Sequence, residues 1–443
     1  MMQISSIKSV VHAVSLALVL GVFAIPGIAV AQEDKKEERK TTQTGSMSEK
    51  VYKKLAEAQA LAAPEDPAAK PDFAGAVAKL KEIEAMPKLS EYEQAQLYNF
   101  YGFVYYSQEQ YAQSISAYQK VLKLVEIPPG LRNQVIYTLA QLKFTTEKYQ
   151  EAIDLINDWL KTQENPGPEP YVLIGTGYYQ LEQMDKIIPP LEKALTIAAE
   201  RGSKPKEQWY LLLRVAYWEK GDTKKVKELL EILVTNWPKK EYWAQLSAVY
   251  GEMDNEPKQL SAYASAYDQD LFTNNSEYMQ IAQLYLANDV PYKAAKILER
   301  GLANDIVERT AKNLRLYSQA WALAREDDKA IPPLKEAAKL SKEGELDLRL
   351  AQSYLNLSQY KSCISSARTA IKKGGIKRTD VANMILGMCL FETDDLSNAR
   401  AAFSKAARDE RSEKSARQWL LYIKSEEDRI ERLEASLASL KAG

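Results

Sequence analysis

The sequence predicts an all-α protein: a tandem solenoid of about ten stacked helix pairs, wound as a right-handed superhelix and closed by a C-terminal capping helix. Three observations predict it. From Ser48 onward apolar residues recur with the period of a helix, and no alternating run marks a strand. The 18 glycines and 18 prolines among 443 residues fall mostly at the breaks between those runs. The apolar pattern also repeats as a block, in steps of 33 to 39 residues.

Residues 1–31 read as a signal peptide. Lys8 supplies the positive start, Val10 to Ile25 is mostly apolar, and Pro26 ends that run. Ala29-Val30-Ala31 is an A-x-A cleavage site, so the expected cut lies between Ala31 and Gln32. An uncleaved membrane anchor is the alternative. Cleavage has consequences. His12, the one histidine, leaves with the signal. The mature chain then has no Ser-His-Asp or Cys-His arrangement and no histidine-based zinc, haem or copper site. No second stretch of 18 apolar residues follows, so no membrane insertion is expected after signal removal. A lipoprotein would carry cysteine where Gln32 stands, which makes a soluble periplasmic protein the expectation. The 59 basic and 60 acidic side chains balance, which argues against a nucleic-acid partner.

Residues 32–47 are polar and of mixed charge, a flexible charged leader. Residues 48–94 form a divergent first repeat. Val51, Leu55 and Ala58 lie on its first helix, Phe73, Ala76, Leu80 and Ile83 on its second, and Ala62 to Pro71 is the loop between. Nine units then fill 95–408, starting near 95, 133, 168, 207, 240, 275, 311, 344 and 380. The cleanest reads Tyr210, Leu213, Tyr217, Gly221, Val226, Leu230, Leu233 and Pro238. This spacing resembles that of the tetratricopeptide repeat, W-x2-L-G-x2-Y…A-x3-F…P. The spacing has a physical cause. Each unit is two antiparallel helices. Small residues at the eighth and twentieth positions, such as Gly102, Gly175, Ala152, Ala294, Ala330 and Ala399, let the backbones approach. Large residues at the fourth, seventh, eleventh and twenty-fourth positions fill the space between neighbours. One pair cannot bury its apolar face alone, so pairs stack.

Residues 409–443 read as the capping helix, with Trp419, Ile423, Ile430, Leu433, Leu437 and Leu440 in a short heptad rhythm. A cap for the open end is the first reading, a docking or dimerisation helix the second. Ile188-Pro189-Pro190-Leu191 and Ile331-Pro332-Pro333-Leu334 occupy one slot in two units, 143 residues apart. Asp185 and Asp328 precede them as candidate caps, and the prolines predict a helix that starts late or kinks.

No catalytic, cofactor or metal site is expected. Asp327-Asp328 and Asp394-Asp395 fall in turns where acidic caps belong, no Gly-rich phosphate loop occurs, and Gly374-Gly375 reads as a helix C-cap. Cys363 fills a small twentieth position and Cys389 lies on the next first helix, 26 residues on. Export favours a disulfide between them; two buried free thiols are the alternative.

The candidate binding site is the inner groove. The twelfth position of successive units reads Tyr106, Phe144, Tyr179 and Trp218, then Gly251, Leu286, Ala322, Leu355 and Phe391. Phe103 and Tyr137 join the N-terminal set. Either these rings form an exposed stripe for a protein partner, or curvature buries them against the next repeat. The lysine of a carboxylate clamp is missing: fifth and ninth positions are Asn99/Phe103, Tyr137/Gln141, Val172/Thr176 and Leu211/Val215.

The A-x-A signal, the charged leader, SEKVYKKLAEAQALA and the terminal CISSARTAIKKGG…ILGMCLFE repeat give a wider resemblance. The chain resembles a group of exported tetratricopeptide proteins of marine gammaproteobacteria, encoded beside TonB, ExbB and ExbD energy-transduction components. The resemblance implies a non-catalytic periplasmic adaptor accessory to TonB-dependent uptake, such as iron–siderophore transport, with TonB, ExbB or ExbD components as partners. A scaffold for envelope assembly, in polysaccharide export or in coordinating wall synthesis with division, is the alternative. An enzyme with a solenoid appendage has no room, since repeats take nearly all of 48–443.

Overall fold

The structure, a computed structural model, describes residues 46–66 and 68–442. The expected signal peptide, its cut between Ala31 and Gln32, and nearly all of the leader lie outside the described residues. Among those residues there are 21 α-helices, one 3-10 turn at Met184–Lys186, and no strand. Twenty helices follow one another as ten pairs, from Glu49–Ala62 with Phe73–Glu84 to Thr379–Phe391 with Leu396–Ala406. The last, Glu410–Ala442, is single. The described residues divide into two compact units, with the boundary between Leu229 and Leu230.

One turn joins the two helices of all nine units from 95 onward. Its fifteenth position has a left-handed backbone: Glu109, Glu147, Glu182, Gly221, Asp254, Asp289, Arg325, Ser358 and Asp394, with φ between 54° and 74°. The next residue's N–H donates back to the carbonyl of the eleventh, as Gln110 does to Tyr105 at 2.8 Å and Asp395 to Leu390 at 3.0 Å. That is the six-to-one bond of a Schellman ending, which satisfies carbonyls a helix end leaves open. Only one of the nine residues is glycine, so eight side chains accept a conformation costing about 1–2 kcal/mol each.

Beyond the turn the two helices close on each other. A Cβ on Gly102 would stand 2.5 Å from the Tyr118 ring, so the eighth position is where the twenty-fourth residue's side chain enters. Ser114, at the twentieth position, is fully buried and donates its hydroxyl to the Gly102 carbonyl at 2.7 Å.

The eleventh and nineteenth positions are coupled too. Lys186, Lys258 and Lys293 stand 5.5, 5.5 and 5.6 Å from the ring centres of Tyr178, Tyr250 and Tyr285, and Lys329 stands 4.7 Å from that of Trp321. Each contact is a cation–π pair worth about 0.5–1 kcal/mol at exposed sites. In the unit starting near 133 the pair is inverted: Lys143 takes the ring's place and Glu151 the lysine's, 2.5 Å apart. The stem of Lys143 is buried and its charge is met by the carboxylate.

In the first unit the divergent pair shares a core with the next. Val51, Ala58, Leu80 and Ile83 pack with Leu97, Phe100, Tyr101 and Val104. Asp72 caps the second helix by accepting from the Gly75 N–H at 2.8 Å. Ser90 and Glu93 form a capping box at Glu91–Ser107. Glu93 also accepts from the Ser48 N–H at 2.9 Å and hydroxyl at 2.7 Å, which ties the start of the described chain to the third helix. Burial pushes the Glu93 carboxyl up, but the hydrogen bonds from Ser48 and Ser90 outweigh it and hold the group at about 2.

In the second unit a continuous core runs from Tyr263 to Cys389. A further cluster joins Leu390, Ala399, Ala402, Phe403 and Ile423. There the Trp419 ring stacks on Phe403 at 5.2 Å. Asp380 pins the terminal helix. It accepts from the Ser412 hydroxyl at 2.6 Å and pairs with Arg378, whose guanidinium holds the carboxyl far below the usual range.

The paired prolines correct one expectation. In the first copy a 3-10 turn precedes a helix that begins at Ile188, so it starts late. In the second the helix runs unbroken over Asp327–Leu340 with Pro332 and Pro333 inside it. Neither Asp185 nor Asp328 is an N-cap: the first lies in the 3-10 turn, the second in the helix's first turn. The two copies differ at the twentieth position. It holds Ala330 in the second copy and a fully buried Ile187 in the first, although Val226 in the same slot of another repeat leaves its helix starting regularly at Thr223.

Candidate functional site

The six candidate aromatics lie on the first helices of four successive pairs, all within the first unit. Phe103 and Tyr106 are on Glu91–Ser107, Tyr137 and Phe144 on Pro129–Thr145, Tyr179 on Glu169–Gln180, and Trp218 on Glu207–Glu219. They are neither core nor free. Five are half-buried, and Trp218 is 43% exposed. Tyr106 leans on Tyr111 at 5.9 Å and Phe144 meets Tyr149 edge-on at 5.1 Å, across the turn in each case. Tyr137 rests on Trp159 at 5.1 Å and Phe103 on Phe100 at 5.7 Å. Phe144 also reaches the next pair: a Cβ on Gly177 would stand 3.5 Å from its ring, an ordinary contact, whereas Ile153, at 2.9 Å, is the side chain that needs the glycine. Each ring–ring contact fixes one side of a ring and leaves the other open. A rigid ring with a wet face binds at low entropic cost.

Burial raises the pKa of the Tyr106, Tyr137 and Tyr179 hydroxyls, so they stay neutral donors throughout the physiological range. The polar neighbours are mostly amides and small hydroxyls. The second, fifth, ninth, twelfth and thirteenth positions of these four units include Gln96, Gln134, Gln141, Thr145, Gln180 and Gln208, with the buried Asn99 and Thr176 beneath, and Glu169 and Glu219 as the only charges. The face therefore suits an uncharged partner surface and gives an acidic one no counter-charge.

The same twelfth position differs in the second unit. Gly251, Leu286, Ala322 and Leu355 are small or aliphatic, and Phe391, half-buried like the rings above, rests against Trp419 at 5.5 Å and Tyr422 at 5.3 Å. Here Cys363 and Cys389, both fully buried, are joined by a disulfide with Cα atoms 6.3 Å apart. A cleft in this unit lies between Glu256–Asp268 and Pro291–Ala303, lined by Tyr267, Tyr285, Lys296, Glu299 and Arg300 among others. Its charges meet locally, Arg300 with Asp270 at 2.8 Å and Lys296 with Glu299.

Among the remaining candidates, Asp395 caps its helix through the Asn398 N–H at 3.3 Å, and Gly374, with φ of 72°, ends Tyr360–Lys373. Among the described residues no group of three or more His, Cys, Asp or Glu could hold a metal ion. No described helix is long and apolar enough to cross a membrane.

Comparison with known proteins fits this architecture. Tetratricopeptide-repeat family models match residues 95–124 and 348–415. No curated protein matches the chain. Similar solved structures include that of MamA, 16% identical, covering 40% of this chain and 94% of that one with a TM-score of 0.34. Another is YrrB, described as a TPR protein with an unusual peptide-binding site, 13% identical over 44% and 96%, TM-score 0.35. A third is the C-terminal part of a TPR repeat-containing protein from Cytophaga hutchinsonii, 16% identical over 64% and 99%, TM-score 0.32. Stacked repeats of this kind present extended surfaces to other proteins. The fold is that of an all-α tetratricopeptide-repeat array, and the architecture is that of a protein-interaction scaffold.

Proposed function

We propose that the protein is a non-catalytic periplasmic adaptor that holds an uncharged, apolar segment of a partner protein against the aromatic face of its first unit. The observation that carries this is the run of half-open rings on four successive first helices, ending at the exposed Trp218. The signal-like residues 1–31 support export, and the Cys363–Cys389 disulfide suits an oxidising compartment. Resemblance to the exported group encoded beside TonB, ExbB and ExbD makes those components the first partners to seek and TonB-dependent uptake the process served. The test is capture of partners from periplasm and solubilised envelope by the tagged chain. ExbB, ExbD or TonB should be retained by the wild type and lost with Tyr179→Ala/Trp218→Ala. Retention of wall-synthesis or polysaccharide-export proteins in their place would assign the scaffold to envelope assembly.

A further inference from the structure

The terminal helix Glu410–Ala442 is longer than a cap requires. Its 33 residues span about 50 Å at 1.5 Å each. The fold holds it as far as Glu427: Ser412 by Asp380, Ala416 fully buried, Trp419 on Phe403, Ile423 in the core, and Glu427 paired with Arg400 of the preceding helix. Past Ile423 no described residue is buried. Ile430 is half-buried, and Leu433 and Leu437 are 51% and 48% exposed. These residues, with Leu440 next in sequence, alternate in steps of three and four, the spacing of a coiled-coil seam.

The flanking charges indicate the occupant. With Ile430 and Leu437 at the first core position of each heptad, Arg429 and Glu434 fall on opposite edges of the seam, five residues apart. When two identical helices lie parallel and in register, each Arg429 faces the other chain's Glu434, and symmetry makes that contact twice. Within its own helix Arg429 meets only Glu426, an exposed pair that can be exchanged. The surroundings disfavour an anionic membrane, since residues 424–437 carry five acids against three bases.

We infer that the distal half of this helix is a self-association element: two copies of the chain pair through it as a short parallel coiled coil. Two heptads bury less than a permanent interface needs, so the dimer exchanges with monomer in the micromolar range. Two adaptors joined this way would present two binding faces to one assembly, which raises avidity without new contacts.

Sedimentation equilibrium of the purified chain across the micromolar range tests this. The wild type should show a reversible monomer–dimer equilibrium. Leu433→Glu/Leu437→Glu should be monomeric throughout, with unchanged helical circular dichroism and the same main unfolding transition. Glu434→Arg should weaken the dimer about five-fold, and adding Arg429→Glu should restore it. A wild type that stays monomeric, or a dimer indifferent to the two leucines, overturns the inference. So does failure of the charge swap to restore association, since only the parallel register pairs those residues. Loss of a different bound protein from Leu433→Glu/Leu437→Glu, with no dimer in the wild type, would assign the face to that protein and also overturn it.

Discussion

The first helices of residues 95–219 and those of residues 240–391 end in the same left-handed turn and differ in what they present just before it. In the first set the twelfth position carries Tyr106, Phe144, Tyr179 and Trp218, each ring open on one side. In the second it carries Gly251, Leu286, Ala322 and Leu355, then a single half-buried ring, Phe391, that rests on Trp419 and Tyr422 of the terminal helix. The second set has the disulfide and the pinned terminal helix as well. One repeat geometry thus serves two ends. The first region carries half-open rings on four successive first helices, and the second carries one such ring together with the crosslink and the pinned terminal helix.

The largest effect should come from breaking that closure. Phe403→Ala removes a fully buried ring stacked on Trp419 and should destabilise the second unit by about 3–5 kcal/mol. Denaturant unfolding followed at the terminal tryptophan would show it, with a smaller shift for the first unit. Cys363→Ala/Cys389→Ala opens a 26-residue loop and should cost about 3 kcal/mol, again in the second unit. A uniform loss across both units would erase the contrast drawn here.

The binding side should respond in affinity. Trp218→Ala and Tyr179→Ala should each weaken capture of the partner by about 1–2 kcal/mol and leave the helical circular dichroism unchanged. Equivalent changes at Leu286 and Leu355 should leave binding unaltered. A fall in helicity at Tyr179→Ala would make that ring core and shrink the site.

Acid offers a finer distinction. The folded Glu93 carboxyl titrates at about 2 against an ordinary 4.5, so its contribution is complete above 4.5 and is lost as pH falls from there through 2. Glu93→Gln should be less stable than the wild type at neutral pH, and the two should converge near pH 2. The measurement is thermal unfolding against pH, and a constant gap down to pH 2 would contradict the assignment. Asp380 obeys the same sign in the second unit, where Arg378 holds its charge.

Much of this was legible in the sequence because backbone approach dictates spacing. Units read as starting near 207, 240, 275 and 311 have first helices beginning at Glu207, Lys240, Asn275 and Ala311. The left-handed turn was not legible. Glutamate, aspartate, arginine and serine occupy it, so residue type gives no signal and only the repeat register does. The twin proline segments misled for a related reason, since one tetrapeptide sits at the start of one helix and inside another. At the site, the sequence located the rings but not their half-burial, which comes from contacts with the second helix such as Tyr149 beside Phe144 and Trp159 beside Tyr137.

The central claim is that recognition is confined to the aromatic first helices. Site-specific photocrosslinking in the living cell tests it most directly, with a photoreactive phenylalanine analogue placed singly at Tyr179, Trp218, Leu286 or Leu355. A protein adduct of one defined mass is expected from positions 179 and 218 and none from 286 and 355. Equal adducts from all four, or adducts from 286 and 355 alone, would contradict it.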